Sequence, residues 1–115
     1  MSGREVFRLL AWAWDVCEAH RLAGGYPVHQ VDIGGLAGFA SLIHVDPAHV
    51  YEVDLAVPIL IAPVPELGNL VIDGWHRIHR ALRDAITVLP ARMLSEADEK
   101  QIRIQPAGRT DRYLS

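Results

Sequence analysis

At 115 residues, half of them hydrophobic, and with a mean hydropathy of +0.14, the chain holds enough apolar material for one compact domain and too much for a disordered one. Eleven basic side chains, all but Lys100 arginine, stand against fourteen acidic ones for a formal charge of -3. No overall basic field would therefore hold it on nucleic acid, and any anion site has to be local. The single cysteine, Cys17, permits no internal disulfide and no CxxC metal spacing, as expected in a reducing compartment.

The first residues, MSGREVFRLLAWAWDVCEAH, are broken by Arg4, Glu5, Arg8, Asp15 and Glu18, too polar for a signal h-region or a membrane span. A soluble, cytoplasmic, single-domain protein spanning 1–115 is expected. Residues 5–23 read as a helix, because Phe7, Leu10, Trp14 and Cys17 recur at spacings of three and four, with Val6, Leu9 and Ala13 widening the stripe and Gly24-Gly25 ending it. With Trp12 and Trp14 on opposite sides, so broad a face either is buried in one core or offers one side to a second copy, which makes a homodimer through this helix an expected arrangement.

Further along, 26–33 holds a short strand, and Gly34, Gly35 and Gly38 make a flexible turn whose GGLAG lacks both the Walker lysine and the GxGxxG order. SLIHV, 41–45, reads as a strand, and Asp46-Pro47 caps a short helix through Val53. The apolar runs 58–62 and 70–72, separated by turn-forming PVPELGN, predict two strands in a hairpin. Ile78, Ala81 and Leu82 give helical spacing to 75–85. VLPARML, 88–94, is a strand that Pro90 places at an edge or a strand start, and Ser95-Glu96-Ala97-Asp98 is a capping pattern for a helix to 104. Residues 105–115 have no periodicity and read as a loose tail. The fold class is α+β: a small mixed sheet with helices packed on it.

The chemistry concentrates in VIDGWHRIHRAL, 71–82. A strand that ends in Asp-Gly and runs straight into a helix presents unpaired amides and the positive end of the helix dipole, which together make an anion site. Gly74 lets backbone approach a ligand, His76 and Arg77 lie in the first turn, and Arg80 follows one turn on. Arginine and histidine at a helix start oppose the dipole, a cost that an anion would offset. The ordinary structural alternative has Asp73 capping the helix and the arginines solvated or paired with surface carboxylates.

The run from Pro58 to Ile102, PILIAPVPELGNLVIDGWHRIHRALRDAITVLPARMLSEADEKQI, resembles the ParB/sulfiredoxin-like domain: a strand, a variable loop, a strand leading into a Gly-x-(Arg/His)-Arg helix, a strand near Leu-Pro and a last helix. The ParB-like region thus covers about 58–104. The resemblance implies that Gly74, Trp75, His76 and Arg77 occupy the place of the Gly-Glu-Arg-Arg box with which partition proteins bind the triphosphate of CTP. In the sulfiredoxin box Gly-Cys-His-Arg a cysteine stands where this chain has Trp75, so sulfiredoxin chemistry is not expected. Free-serine kinases of the fold carry Asp-Gly-x-x-Arg, similar to Asp73, Gly74 and Arg77, with a general base supplied from elsewhere. The DNA-binding helix-turn-helix region of the partition proteins is not expected within these residues.

Three readings follow. In the first, the chain binds ATP or CTP with magnesium and hydrolyses it or transfers its phosphate: Gly74, Trp75, His76, Arg77 and Arg80 hold the phosphates. In it Asp73 and His76 serve catalysis, and Asp32, Asp46, Glu52 and Asp54 are candidate carboxylates for base or metal. In the second, the same corner is a non-catalytic binding module for protein or nucleic acid. In the third, His44, Asp46, His49, His76 and His79 gather a metal, although they form no standard motif.

Overall fold

In the computed structural model, which describes residues 5–105, the N-terminal segment is a β-hairpin where a helix over 5–23 was expected. Strand β1, Val6–Leu9, pairs antiparallel with β2, Trp12–Asp15, through a two-residue turn at Leu10 and Ala11. Val, Phe and Trp are strand formers, and an apolar stripe this wide suits a pleated ribbon covered on both sides better than one helix face. The helix starts only at α1, Val16–Ala23, where the Asp15 carboxylate accepts the Glu18 amide at 3.0 Å and sets the boundary. Trp14 is fully buried and Trp12 stacks on it, so the continuous helical face on which the expected homodimer rested is not formed.

A four-stranded mixed sheet forms the rest of the frame, in the order β3-β6-β4-β5: β3, His29–Asp32; β4, Ile59–Val64; β5, Gly68–Asp73; β6, Val88–Met93. Strands β4 and β5 make the expected hairpin, and β6 returns parallel to β4 after the helix α3, Trp75–Arg83. Pro90 lies in an interior strand and not at a sheet edge. It is accommodated because β4 reaches β6 only from Ala91 onward, leaving Pro90 paired on the β3 side alone. Residues Gly34–Leu42 form a 3-10 helix in place of the expected flexible turn, and 43–46 is irregular where a strand was expected. The short helix α2, Pro47–Val50, opens on Asp46 as expected but ends three residues early.

Helix α4, Glu96–Ile102, carries the full capping box, the Ser95 hydroxyl on the Asp98 amide and the Asp98 carboxylate on the Ser95 amide, each at 3.0 Å. It runs into β7, Arg103–Gln105, which pairs with β2 and makes a second sheet, β1-β2-β7, beside the single one expected. Residues 106–115, most of the expected loose tail, lie outside the described residues. The chain is thus α+β, with one buried cluster that includes Trp14, Ile59, Leu70, Ile78 and Ile102 and joins both sheets to the helices. None of the described helices is long and apolar enough to cross a membrane.

The second sheet is also fastened to α4 by a buried charge. Glu99, 1% exposed, accepts from Nε1 of Trp14 at 2.9 Å and from Nε and Nη2 of Arg103, each at 2.9 Å, while the Arg103 guanidinium lies over the Trp12 ring. Removing one partner of such a pair strands the other, so Glu99→Ala is expected to lower the unfolding free energy by about 3 kcal/mol in urea titration, with Arg103→Ala costing a similar amount.

Candidate functional site

The corner between β5 and α3 is shaped by backbone constraints. Leu60 lies opposite Asp73 while Ile61 lies opposite Val71, so Ile72 is an extra residue in β5, a bulge that re-aims the strand's last residue. Gly74 then takes φ 112° and ψ 18° and serves as N-cap of α3 with no side-chain cap bond. The alternative in which Asp73 caps the helix is thereby overturned. A Cβ on Gly74 would lie 2.5 Å from Cγ2 of Ile59, so the position requires glycine both for its dihedral angle and for its space. The first α-helical bond at this end runs from Ile78 N–H to the Gly74 carbonyl, so the amides of Trp75, His76 and Arg77 precede the ladder.

Above this corner lies a cleft of about 640 Å³. The polar part of its wall is Asp73, His76, Arg77, His44, His49, Arg8 and Glu5; the apolar part comes from β1 and from the segment around Leu42 to Val53. Of the residues singled out in sequence, Asp73, Gly74, Trp75, His76 and Arg77 all line it. Arg80 does not: its guanidinium donates to the Val50 and Tyr51 carbonyls and pairs with Asp84 at 2.7 Å, fastening α2 to α3.

Three of these side chains already have internal work. The Trp75 indole is buried and offers no aromatic face at the rim: Nε1 donates to the Val71 carbonyl at 2.6 Å, and the ring stacks on Phe7 in a row that continues to Trp14 and Trp12. What Trp75 can give a ligand is its amide. Nη1 of Arg77 donates to the Val57 and Pro58 carbonyls at 2.7 and 2.8 Å, while Nη2 reaches toward Gly74 and lies 3.7 Å from Asp73. Burial pulls Arg77 below the ordinary guanidinium range, partly countered by Asp73 and Asp54; it keeps its charge. Nε2 of His76 accepts the Asp46 amide at 3.3 Å, which puts the ring's proton on Nδ1 and makes that nitrogen the donor.

The histidines do not converge on an ion. His76 meets the His49 ring edge-on at 4.7 Å, whereas His79 turns to Trp75 with its Nε2 enclosed and without a hydrogen-bond partner. Among the described residues no group of three His, Cys, Asp or Glu side chains is arranged to hold a metal. The candidate carboxylates are spent locally: Asp32 accepts the Gly34 amide, Asp46 that of Ala48 and Asp54 that of Ala56, and Glu52 faces His49. His20, which sequence reasoning passed over, reaches Asp73 from α1, its Nε2 2.7 Å from Oδ2.

Compared with known proteins, the chain matches no family model, no curated protein and no solved structure.

Two predictions follow from this geometry. Gly74→Ala forces a positive φ on alanine and drives its Cβ into Ile59, so the unfolding free energy is expected to fall by about 2–3 kcal/mol in urea titration. Burial, reinforced by His49 and opposed by Asp46, holds His76 below the ordinary imidazole value of 6.5. Below that pH the unfolded chain binds more protons than the folded one, so His76 favours the fold fully above 6.5 and this contribution is lost as pH falls. Ring chemical shifts should show His76 titrating below a free imidazole, and His76→Asn should flatten the acid side of the stability profile.

Proposed function

We propose that residues 58–104 form a ParB/sulfiredoxin-like unit that binds the phosphates of ATP or CTP at the β5–α3 corner, with hydrolysis or phosphoryl transfer as the reaction class. The observation that carries the reading is the start of α3. A nine-residue helix opens on a glycine in the left-handed region, without a side-chain cap, into a cleft that also receives His76 and Arg77. Amides that precede the helical ladder, a positive dipole end and a guanidinium together suit a polyanion.

Element order supports the same reading. From β4 onward the chain runs through two strands, a helix, a strand and a further helix, the order of elements that the resemblance of residues 58–102 implies. The roles divide by residue. The amides of Trp75, His76 and Arg77 take phosphate oxygens, Nη2 of Arg77 offsets their charge, and Nδ1 of His76 donates. The magnesium brought by the nucleotide would neutralise charge on the phosphates. The apolar wall has room for the nucleoside.

Thermal unfolding tests the reading. ATP or CTP with magnesium at a hundred times its Kd should stabilise the fold by about 2.7 kcal/mol and raise Tm by several degrees. Arg77→Ala should lower the starting Tm, because the Val57 and Pro58 carbonyls lose their donor, and should abolish the nucleotide shift. No shift in the native protein at millimolar nucleotide would remove the proposal.

A further inference from the structure

Helix α1 brings a histidine against the end of β5, beside the cleft. Val16, its first residue, belongs to the wall, and His20 stands four positions on, one turn along the same face. From there Nε2 of His20 lies 2.7 Å from Oδ2 of Asp73, the residue next to Gly74. A carboxylate only accepts, so the contact fixes the imidazole proton on Nε2 and leaves the lone pair on Nδ1. An imidazole oriented by a carboxylate, with its second nitrogen open, is the arrangement of a general base. The His20 side chain is 52% exposed and that of Asp73 24%, so the pair sits where acceptor and solvent both have access.

His76 and His49, which line the cleft, are less suited. Nε2 of His76 is occupied by the Asp46 amide, and Nδ1 of His49 lies 3.5 Å from Glu52, beyond a good hydrogen bond. A stabilising role alone explains the His20 contact poorly, because so exposed a pair contributes little to folding and Asp73 is not needed as a cap.

We infer that His20 and Asp73 form a general-base dyad for phosphoryl transfer at this corner, the acceptor being water. The inference rests on the nucleotide reading above. The acceptor oxygen attacks the terminal phosphorus, and a new O–P bond forms as the bond from that phosphorus to the bridging oxygen breaks. The leaving nucleoside diphosphate keeps the electron pair. The acceptor's proton passes to Nδ1 of His20, Asp73 balances the imidazolium through Nε2–H, and the exposed ring returns the proton to solvent. His20 is the catalytic residue, and Asp73 positions it.

The test pairs turnover with binding: phosphate release from ATP and CTP with magnesium, and calorimetric titration of the same nucleotides. His20→Ala should bind nucleotide as the native protein does, while kcat falls by about 100-fold or more. Its acid limb in the kcat–pH profile should vanish, and added imidazole should restore part of the rate, which a merely structural histidine would not show. Asp73→Asn should lower kcat and displace the acid limb. Native kcat in His20→Ala overturns the dyad, as does a native protein that binds nucleotide and releases no phosphate. Absence of binding by the native protein overturns the nucleotide reading together with the dyad, and the calorimetric arm alone reveals it.

Discussion

The contact between Gly74 and Ile59 governs the corner. The first strand of the β4–β5 hairpin sets its Ile59 side chain where any Cβ at position 74 would fall, and the chain can leave β5 only with a positive φ. Helix α3 therefore starts abruptly, with no room for a polar residue that would cap it. The same tightness places Arg77 over Gly74, where its Nη1 binds the two carbonyls that precede β4. Strand, turn, helix and arginine thus form one closed unit. The helix starts without a side-chain cap because the packing beneath it leaves no alternative.

The N-terminal hairpin completes the cleft by aromatic packing. Trp12, Trp14, Phe7 and Trp75 stack in a row with centroid spacings of 5.8, 5.8 and 6.5 Å, so the β1–β2 ribbon is attached to the first residue of α3. Trp75, which in sequence looks like a change of chemistry at the phosphate corner, is the residue that ties the corner to the second sheet. Glu99 and Arg103 hold the far side of that ribbon through Trp14 and Trp12. The cleft wall from β1, and the helix α1 that carries His20, depend on this attachment.

The sequence was most legible where local chemistry and periodicity agreed. The β4–β5 hairpin, α3, β6 and the capping box of α4 follow from turn residues, apolar runs and Ser95 with Asp98, and the Asp-Gly corner was visible as a strand feeding a helix. Residues 5–15 misled because an apolar stripe at Phe7, Leu10, Trp14 and Cys17 fits a helix as well as a hairpin. The deciding signal was Asp15 followed three residues later by Glu18, a cap that starts a helix there and not earlier. At the site, Gly74, His76 and Arg77 were legible from their spacing. The burial of Trp75 and the diversion of Arg80 to α2 were not, since both depend on elements distant in sequence. The meeting of His20 with Asp73 is of the same kind: 53 residues separate them, and only the packing of α1 beside the end of β5 brings them together.

The central claim, that the opening of α3 receives phosphate, is tested most directly by backbone amide shifts during titration with magnesium ATP and, separately, with pyrophosphate. The account predicts that the amides of Gly74 to Arg77 move most with both ligands, downfield as hydrogen bonds form, with residues of β1 following only for the nucleotide. Shifts centred elsewhere, or none at millimolar ligand, would contradict it.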